Sequence, residues 1–126
     1  MKLIGVAMVG NEADIVEAFV RDNLEYLDHL LIAEHNTVDG TREILAALAE
    51  EGLPVTVRRI DTPACDQGGV TNALLGEAVE QFDPDWIVPL DADELLEAND
   101  RKTLEAELAR FQACHARLRW VQHVPT

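Results

Sequence analysis

Trp86-Ile87-Val88-Pro89-Leu90-Asp91-Ala92-Asp93-Glu94 is an apolar run that ends in three carboxylates within four positions. Five apolar residues without polar alternation read as a strand covered on both faces, the pattern of a parallel sheet. The carboxylates then stand at the C-terminal end of that strand, where open α/β sheets bind their ligands. A hard divalent cation held there by oxygen atoms would neutralise a diphosphate. The competing reading is a helix N-terminus capped by Asp93. Capping needs one acidic side chain, however, and three crowded together repel one another unless a cation or solvent separates them. Metal binding is therefore favoured, with Asp93 as direct ligand, Asp91 placed to reach a ribose or a metal-bound water, and Glu94 as the third candidate.

The remainder of the chain alternates strand and helix around this segment. Lys2 to Val9 is a first buried strand, and Ile15, Val16, Phe19, Val20, Asn23, Leu24 and Leu27 recur at helical spacing behind it, with Asn11 available as N-cap. His29 to Ala33 is a second strand. Thr37 to Gly40 is turn chemistry that opens a helix bearing Ile44, Leu45 and Leu48, with Gly52 as its stop. Leu53 to Ile60 alternates, and Pro54 near its start points to a sheet edge. A loop from Asp61 to Gly69 precedes a helix of Val70, Leu74, Leu75, Ala78, Val79 and Phe82 that ends at Pro84. After the carboxylate strand come a helix containing Thr103 to Phe111 and a last strand from Leu118 to Val124. The order predicts a three-layer α/β sandwich around a mainly parallel sheet.

At 126 residues, 48% of them apolar, the chain fits one domain, 1–126, with a substantial core. Its 24 acidic against 10 basic residues give a net charge of -14, and no basic stripe interrupts it, so nucleic acid and anionic membrane are disfavoured partners. A phosphorylated ligand remains compatible, because a metal or a few Arg side chains can reverse the field locally. Cys65 and Cys114 are too few for a disulfide scaffold and lack zinc-site spacing, which makes a reducing, cytoplasmic setting the expectation. No run reaches transmembrane length, and Leu3 to Val9 lacks the cleavage pattern of a signal peptide.

Three further segments fall on the same sheet edge as Asp91. Glu34 to Thr41 follows the second strand; Glu34 can contact a ribose or base, and Asp39 with Thr41 can cap the next helix, the structural role being favoured for Asp39 and the question open for Glu34. Gly10-Asn11-Glu12 follows the first strand. It lacks the Lys and Ser or Thr of a phosphate loop and the glycine cluster of a dinucleotide site, but its backbone could approach a base or ribose, unless Asn11 is only the helix cap. Asp66-Gln67-Gly68-Gly69 with Thr71-Asn72 offers polar groups and close backbone approach, or is simply a loop and a cap.

In this order the four segments resemble the donor half of family 2 glycosyltransferases, inverting enzymes with the Rossmann-like GT-A nucleotide-diphospho-sugar transferase fold. Met8-Val9-Gly10-Asn11-Glu12-Ala13-Asp14-Ile15 looks like the family's first strand and Asn-Glu helix start. Glu34 to Glu43 looks like its Asp-x-x-Ser-Thr-Asp-Gly-Thr segment, with Glu in place of the first Asp, Thr37 in place of Ser and Val38 in place of Thr. Asp91-Ala92-Asp93-Glu94 looks like its Asp-x-Asp motif, and the stretch from Asp66 and Gln67 to Asn72 resembles a subgroup. The resemblance covers nearly the whole chain and implies a UDP- or GDP-sugar donor, an acceptor it does not identify, and Mn²⁺ or Mg²⁺ bridging Asp93 to the diphosphate. The donor-binding set it implies is Asn11, Glu12, Glu34, Asp39, Asp66, Gln67, Asn72 and Asp91, and the metal set is Asp91, Asp93 and Glu94. The family's general base lies beyond the last strand of this chain, so no catalytic residue is assigned.

Two rival readings accompany this one. A haloacid-dehalogenase-type phosphatase also sets Asp-x-Asp after an apolar strand, but near the N-terminus and with Thr or Val where this chain has Leu95. A non-catalytic nucleotide-sugar-binding or assembly module would keep the sheet without transfer. The stop three residues after His123 suggests a fragment, or a short member of something larger, with a sheet edge suited to pairing with a second copy.

Overall fold

The computed structural model describes residues 1–35, 37–60 and 67–110. Four strands, β1 (Leu3–Val9), β2 (His29–His35), β3 (Val55–Ile60) and β4 (Trp86–Asp91), alternate with helices α1 (Val16–Asn23), α2 (Thr41–Glu50), α3 (Gln67–Phe82) and α4 (Arg101–Ala109). All strand pairs are parallel, in the order β3-β2-β1-β4. The expected strand from Leu118 to Val124 lies outside the described residues.

The order of strands dictates which face each helix covers. From β1 to β2 to β3 the chain steps outward in one direction, and right-handed crossovers put α1 and α2 on the same face. The return from β3 to β4, beyond β1, reverses the direction and sends α3 to the opposite face. The packing follows this rule. Leu3, Ala7, Leu30 and Ile32 of the strands join Val16, Phe19 and Val20 of α1, Leu45 and Leu48 of α2 and Leu108 of α4 in one cluster. Ile4, Val6, Leu31 and Ala33, whose side chains point the other way, meet Leu74 and Ala78 of α3. The result is the three-layer α/β sandwich read from the sequence.

Two local readings change. Asn11 does not cap α1: the helix starts from Ile15 without a side-chain cap, and Asn11 sits at φ 52°, a left-handed conformation that Asn tolerates better than most residues. Gly68 and Gly69 are not loop residues, since α3 already begins at Gln67. The burial of Leu74 and Ala78 further along the helix outweighs the low propensity of two glycines in its first turn. Gly52, at φ 97°, ends α2 as expected. Of the two edge strands among the described residues, β3 was marked by Pro54, and β4 carries the same sign in Pro89.

Gly5, in the middle of β1, leaves no room for a side chain. A Cβ there would lie 2.6 Å from a methyl of Leu27 and 2.8 Å from one of Leu30, both buried. Gly5→Val is therefore expected to destabilise the fold by about 1–3 kcal/mol through overpacking, despite the better strand propensity of Val. Urea denaturation measures it, and an unchanged midpoint would refute the close packing of β1 on Leu27 and Leu30.

Candidate functional site

The reversal between β1 and β4 is a topological switch point, and the crevice beyond the carboxyl ends of these two strands is where such a sheet binds ligands. Met8 pairs with Asp91 across β1 and β4, and Val9 pairs with Glu34 across β1 and β2. Glu34 and Asp91 thus flank the end of β1 at nearly the same height. A hollow between the sheet and α3 opens beside them, lined by Val6, Met8, Thr71, Leu74, Pro89, Asp91 and Glu94 among others.

The Asp91–Glu94 segment is a tight turn closed twice. The Glu94 amide donates to the Asp91 carbonyl at 2.9 Å, and the Asp91 amide donates to Oε1 of Glu94 at 2.8 Å. Ala92, between the two aspartates, is buried in the α1 face of the core, so Asp91 and Asp93 are left exposed on either side of it. Neither aspartate carboxylate has a hydrogen-bond partner among the described residues, whereas that of Glu94 is engaged in holding the turn. The triad read from the sequence is thereby split into two outward carboxylates and one that shapes the backbone. Among the described residues no group of three or more His, Cys, Asp or Glu side chains is gathered closely enough to hold a metal by itself.

Glu34 is a different kind of carboxylate. It is 1% exposed at the end of β2, and both its oxygens accept from the Arg42 guanidinium of α2, at 3.2–3.3 Å, while Oε1 also accepts from the Thr37 hydroxyl. Burial alone would raise its pKa, but the hydrogen bonds from Arg42 and Thr37 outweigh it and hold the carboxyl below its ordinary value.

The exits of β1 and β2 are laced together by the side chains that the sequence placed at this edge. Oδ1 of Asn11 accepts from the Val38 amide at 2.9 Å, Oγ of the buried Thr41 accepts from the Glu12 amide at 2.9 Å, and Oδ2 of Asp39 accepts from the Ala13 amide at 3.1 Å. Asp39 also takes the Thr41 hydroxyl and amide, and the hydroxyl bond above all holds the Asp39 carboxyl below its usual range, with the Ala13 and Thr41 amides helping and burial opposing. Asn11 and Asp39 therefore build the floor of the edge, and Glu12 contributes its backbone to it. Gly10 lies directly against it, since a Cβ there would come within 3.0 Å of the His35 carbonyl. Asn72 is exposed near the start of α3, one residue after Thr71. Asp66 and the Gln67 side chain lie outside the described residues.

Sequence reasoning overlooked Asn23, Tyr26 and Arg101. Asn23, in the apolar stripe of α1, is completely buried and bonded to the Glu94 carbonyl and the Leu96 amide. A polar residue in an apolar stripe was the available signal, because a buried amide must find partners. Tyr26 and Arg101 fasten the same stretch further on, through the Tyr26 hydroxyl to the Ala98 carbonyl at 2.8 Å and Arg101 to the carbonyls of Tyr26 and Met1 at 3.1 and 2.7 Å.

Neither the protein-family models nor the curated proteins yield a match to this chain. Among solved structures, it is similar to a mannosyltransferase from Pyrobaculum calidifontis in complex with GDP-mannose and Mn²⁺, with a TM-score of 0.67 and 22% sequence identity. The match covers 90% of this chain and 33% of the mannosyltransferase, so the chain spans about a third of the length of that protein. The similarity shows the fold alone, an α/β Rossmann-like unit that this part of the mannosyltransferase shares. No helix among the described residues is long and apolar enough to cross a membrane.

The Glu34–Arg42 pair makes stability depend on pH. A carboxyl whose folded pKa lies below its unfolded value contributes fully above the ordinary glutamate value of about 4.3 and loses that contribution as pH falls through the folded value. Glu34→Gln is expected to cost about 1–3 kcal/mol at pH 7, since it removes the charge opposite Arg42 from a buried position. The deficit should shrink as the pH is lowered from about 5 towards 3. Thermal melts of both proteins across that range check it, and a deficit independent of pH would contradict the ion-pair account.

Proposed function

We propose that this chain, as one domain, is the donor-binding part of a metal-dependent glycosyltransferase of the GT-A, family 2 type, which binds a nucleotide-diphospho-sugar and transfers the sugar with inversion. The observation that carries the reading is the pair of exposed, unengaged carboxylates of Asp91 and Asp93 at the switch-point edge. Support also comes from the fold it shares with a mannosyltransferase solved with GDP-mannose and Mn²⁺.

The donor set fits a divalent ion of the Mn²⁺ or Mg²⁺ kind. Two hard oxygen ligands from the protein, with the rest of the shell supplied by substrate phosphates and water, is the usual arrangement for such ions at a phosphate site. Asp91 and Asp93 would hold it. When bound, the ion would neutralise the diphosphate and stabilise the departing nucleoside diphosphate as a Lewis acid. Glu94 keeps the turn in shape, and Thr71 offers a polar group at the hollow, with Asn72 exposed next to it in sequence. The laced turns at Asn11 and Asp39 and the neutralised Glu34–Arg42 pair form a rigid platform for the nucleoside. In a chain of net charge -14, a donor diphosphate would be repelled without the cation, which makes binding strictly metal-dependent. Inversion further requires a base for the acceptor hydroxyl. None of the described residues is assigned that task.

Calorimetric titration with GDP-mannose and UDP-glucose, with and without Mn²⁺, tests the proposal. Binding of one donor that appears only with Mn²⁺ is expected. Asp93→Asn should weaken it about tenfold or more, equivalent to about 1.4 kcal/mol, and leave thermal stability within about 0.5 kcal/mol, as befits an exposed position. Metal-independent binding, or none, would sink the assignment. Metal-dependent binding without sugar release or transfer would favour the non-catalytic module over the transferase.

A further inference from the structure

We propose that Asn23 is a positioning residue for the carboxylate turn: from inside the core it fixes the backbone of Glu94 and Leu96 and so sets the direction in which Asp91 and Asp93 project. The metal-binding consequence rests on the function proposed above; the control of the turn does not.

Asn23 is wholly buried at the C-terminal end of α1, and its amide makes three hydrogen bonds, using both donors and one acceptor position. Nδ2 donates to the Phe19 carbonyl of its own helix at 2.9 Å and to the Glu94 carbonyl at 3.0 Å, and Oδ1 accepts from the Leu96 amide at 2.8 Å. Two carbonyls on one side and an N–H on the other leave a single consistent orientation of the amide. The side chain thus reads a backbone acceptor and a backbone donor two residues apart, much as a neighbouring strand would. Asp lacks the donor, and Gln carries its amide one methylene further out.

The need for such a reader follows from the local structure. Between β4 and α4 the chain passes through the turn and residues 95–99 without helix or strand of its own. Buried backbone groups in such a stretch must be satisfied from elsewhere. Glu94 is the hinge of the arrangement. Its amide and carboxylate are bonded to Asp91, and its carbonyl is bonded to Asn23. The turn bearing the two free carboxylates is thereby held at one end by β4 and at the other by a side chain of α1. Loss of the Asn23 contact leaves the far end without this anchor, and a carboxylate pair that is to share one ion tolerates little displacement.

Amide hydrogen exchange by NMR on the ligand-free chain, paired with calorimetry of donor binding with and without Mn²⁺, tests the proposal on Asn23→Asp. This variant keeps the acceptor for Leu96 but turns a carboxylate oxygen towards two carbonyls. Exchange at the Asp91 and Glu94 amides is expected to rise at least about tenfold relative to the β1 amides, since each depends on the closed turn. The Mn²⁺-dependent gain in donor affinity should fall about tenfold, with metal-free behaviour unchanged. Asn23→Ser, which retains one small hydroxyl, provides the same comparison should the buried charge prevent folding. Wild-type exchange at Asp91 and Glu94 relative to β1 would overturn the proposal, as would faster exchange with an undiminished metal-dependent gain. If the wild-type chain shows no metal-dependent binding, the proposed function fails, while the exchange rates still decide whether Asn23 holds the turn.

Discussion

Everything at the carboxyl edge of the sheet depends on one constraint, the right-handedness of β-α-β crossovers. With β2 and β3 placed successively on one side of β1, a fourth parallel strand on the other side can be reached only by passing a helix over the opposite face. That reversal does two things at once. It buries both faces of β1 and β2, whose residues Ile4, Val6, Leu30, Leu31 and Ile32 are at most 1% exposed. It also brings α3 onto the opposite face, where a crevice opens between that helix and the ends of β1 and β4. The strand that flanks this crevice ends in Asp91.

Within this frame the acidic residues at the edge have been sorted by environment. Glu34 is buried against Arg42, Asp39 is consumed by the Thr41 hydroxyl and two amides, and Glu94 closes its own turn. Only Asp91 and Asp93 of these five carboxylates are left without such partners. The difference does not come from residue type, since Asp39 and Asp93 are the same residue. It comes from what the backbone offers: Asp39 accepts from the Ala13 and Thr41 amides ahead of α1 and α2, whereas Asp93 stands in a turn whose Asp91 and Glu94 amides are bonded within the turn itself. Compensated carboxylates tie the loops of the edge together, and the uncompensated ones stay exposed with their charge unpaired.

The sequence made the strands legible because a parallel sheet covered on both faces leaves uninterrupted apolar runs, and β1, β2 and β4 have them. The position of the edge was legible for the same reason, since polar and acidic residues follow directly where each run stops. Helix starts were less so. Gly68 and Gly69 read as a loop by propensity, yet apolar contacts several residues downstream carry the helix back through them. Asn11 reads as a cap from its position before an apolar stripe, but its side-chain Oδ1 accepts instead from the Val38 amide, 27 residues away. In both cases a local rule met a tertiary contact that the one-dimensional pattern does not contain. Asn23 is the converse case. Its polar side chain in the apolar stripe of α1 was visible, and only its partner, more than 70 residues further on, was not.

The partner explains why an amide is found there at all. An apolar residue at position 23 would avoid the desolvation of a buried polar group. It would also leave the partly buried Glu94 carbonyl and Leu96 amide without this partner, at up to about 1–3 kcal/mol each. The alternatives open to the chain would be a regular element after β4, which satisfies its own backbone, or exposure of the turn to water. A regular element would fix the two aspartates by helix or strand geometry, and exposure would leave them unfixed. The buried amide is the solution that satisfies this backbone from the core while the turn stays irregular, with Ala92 inward and both aspartates outward.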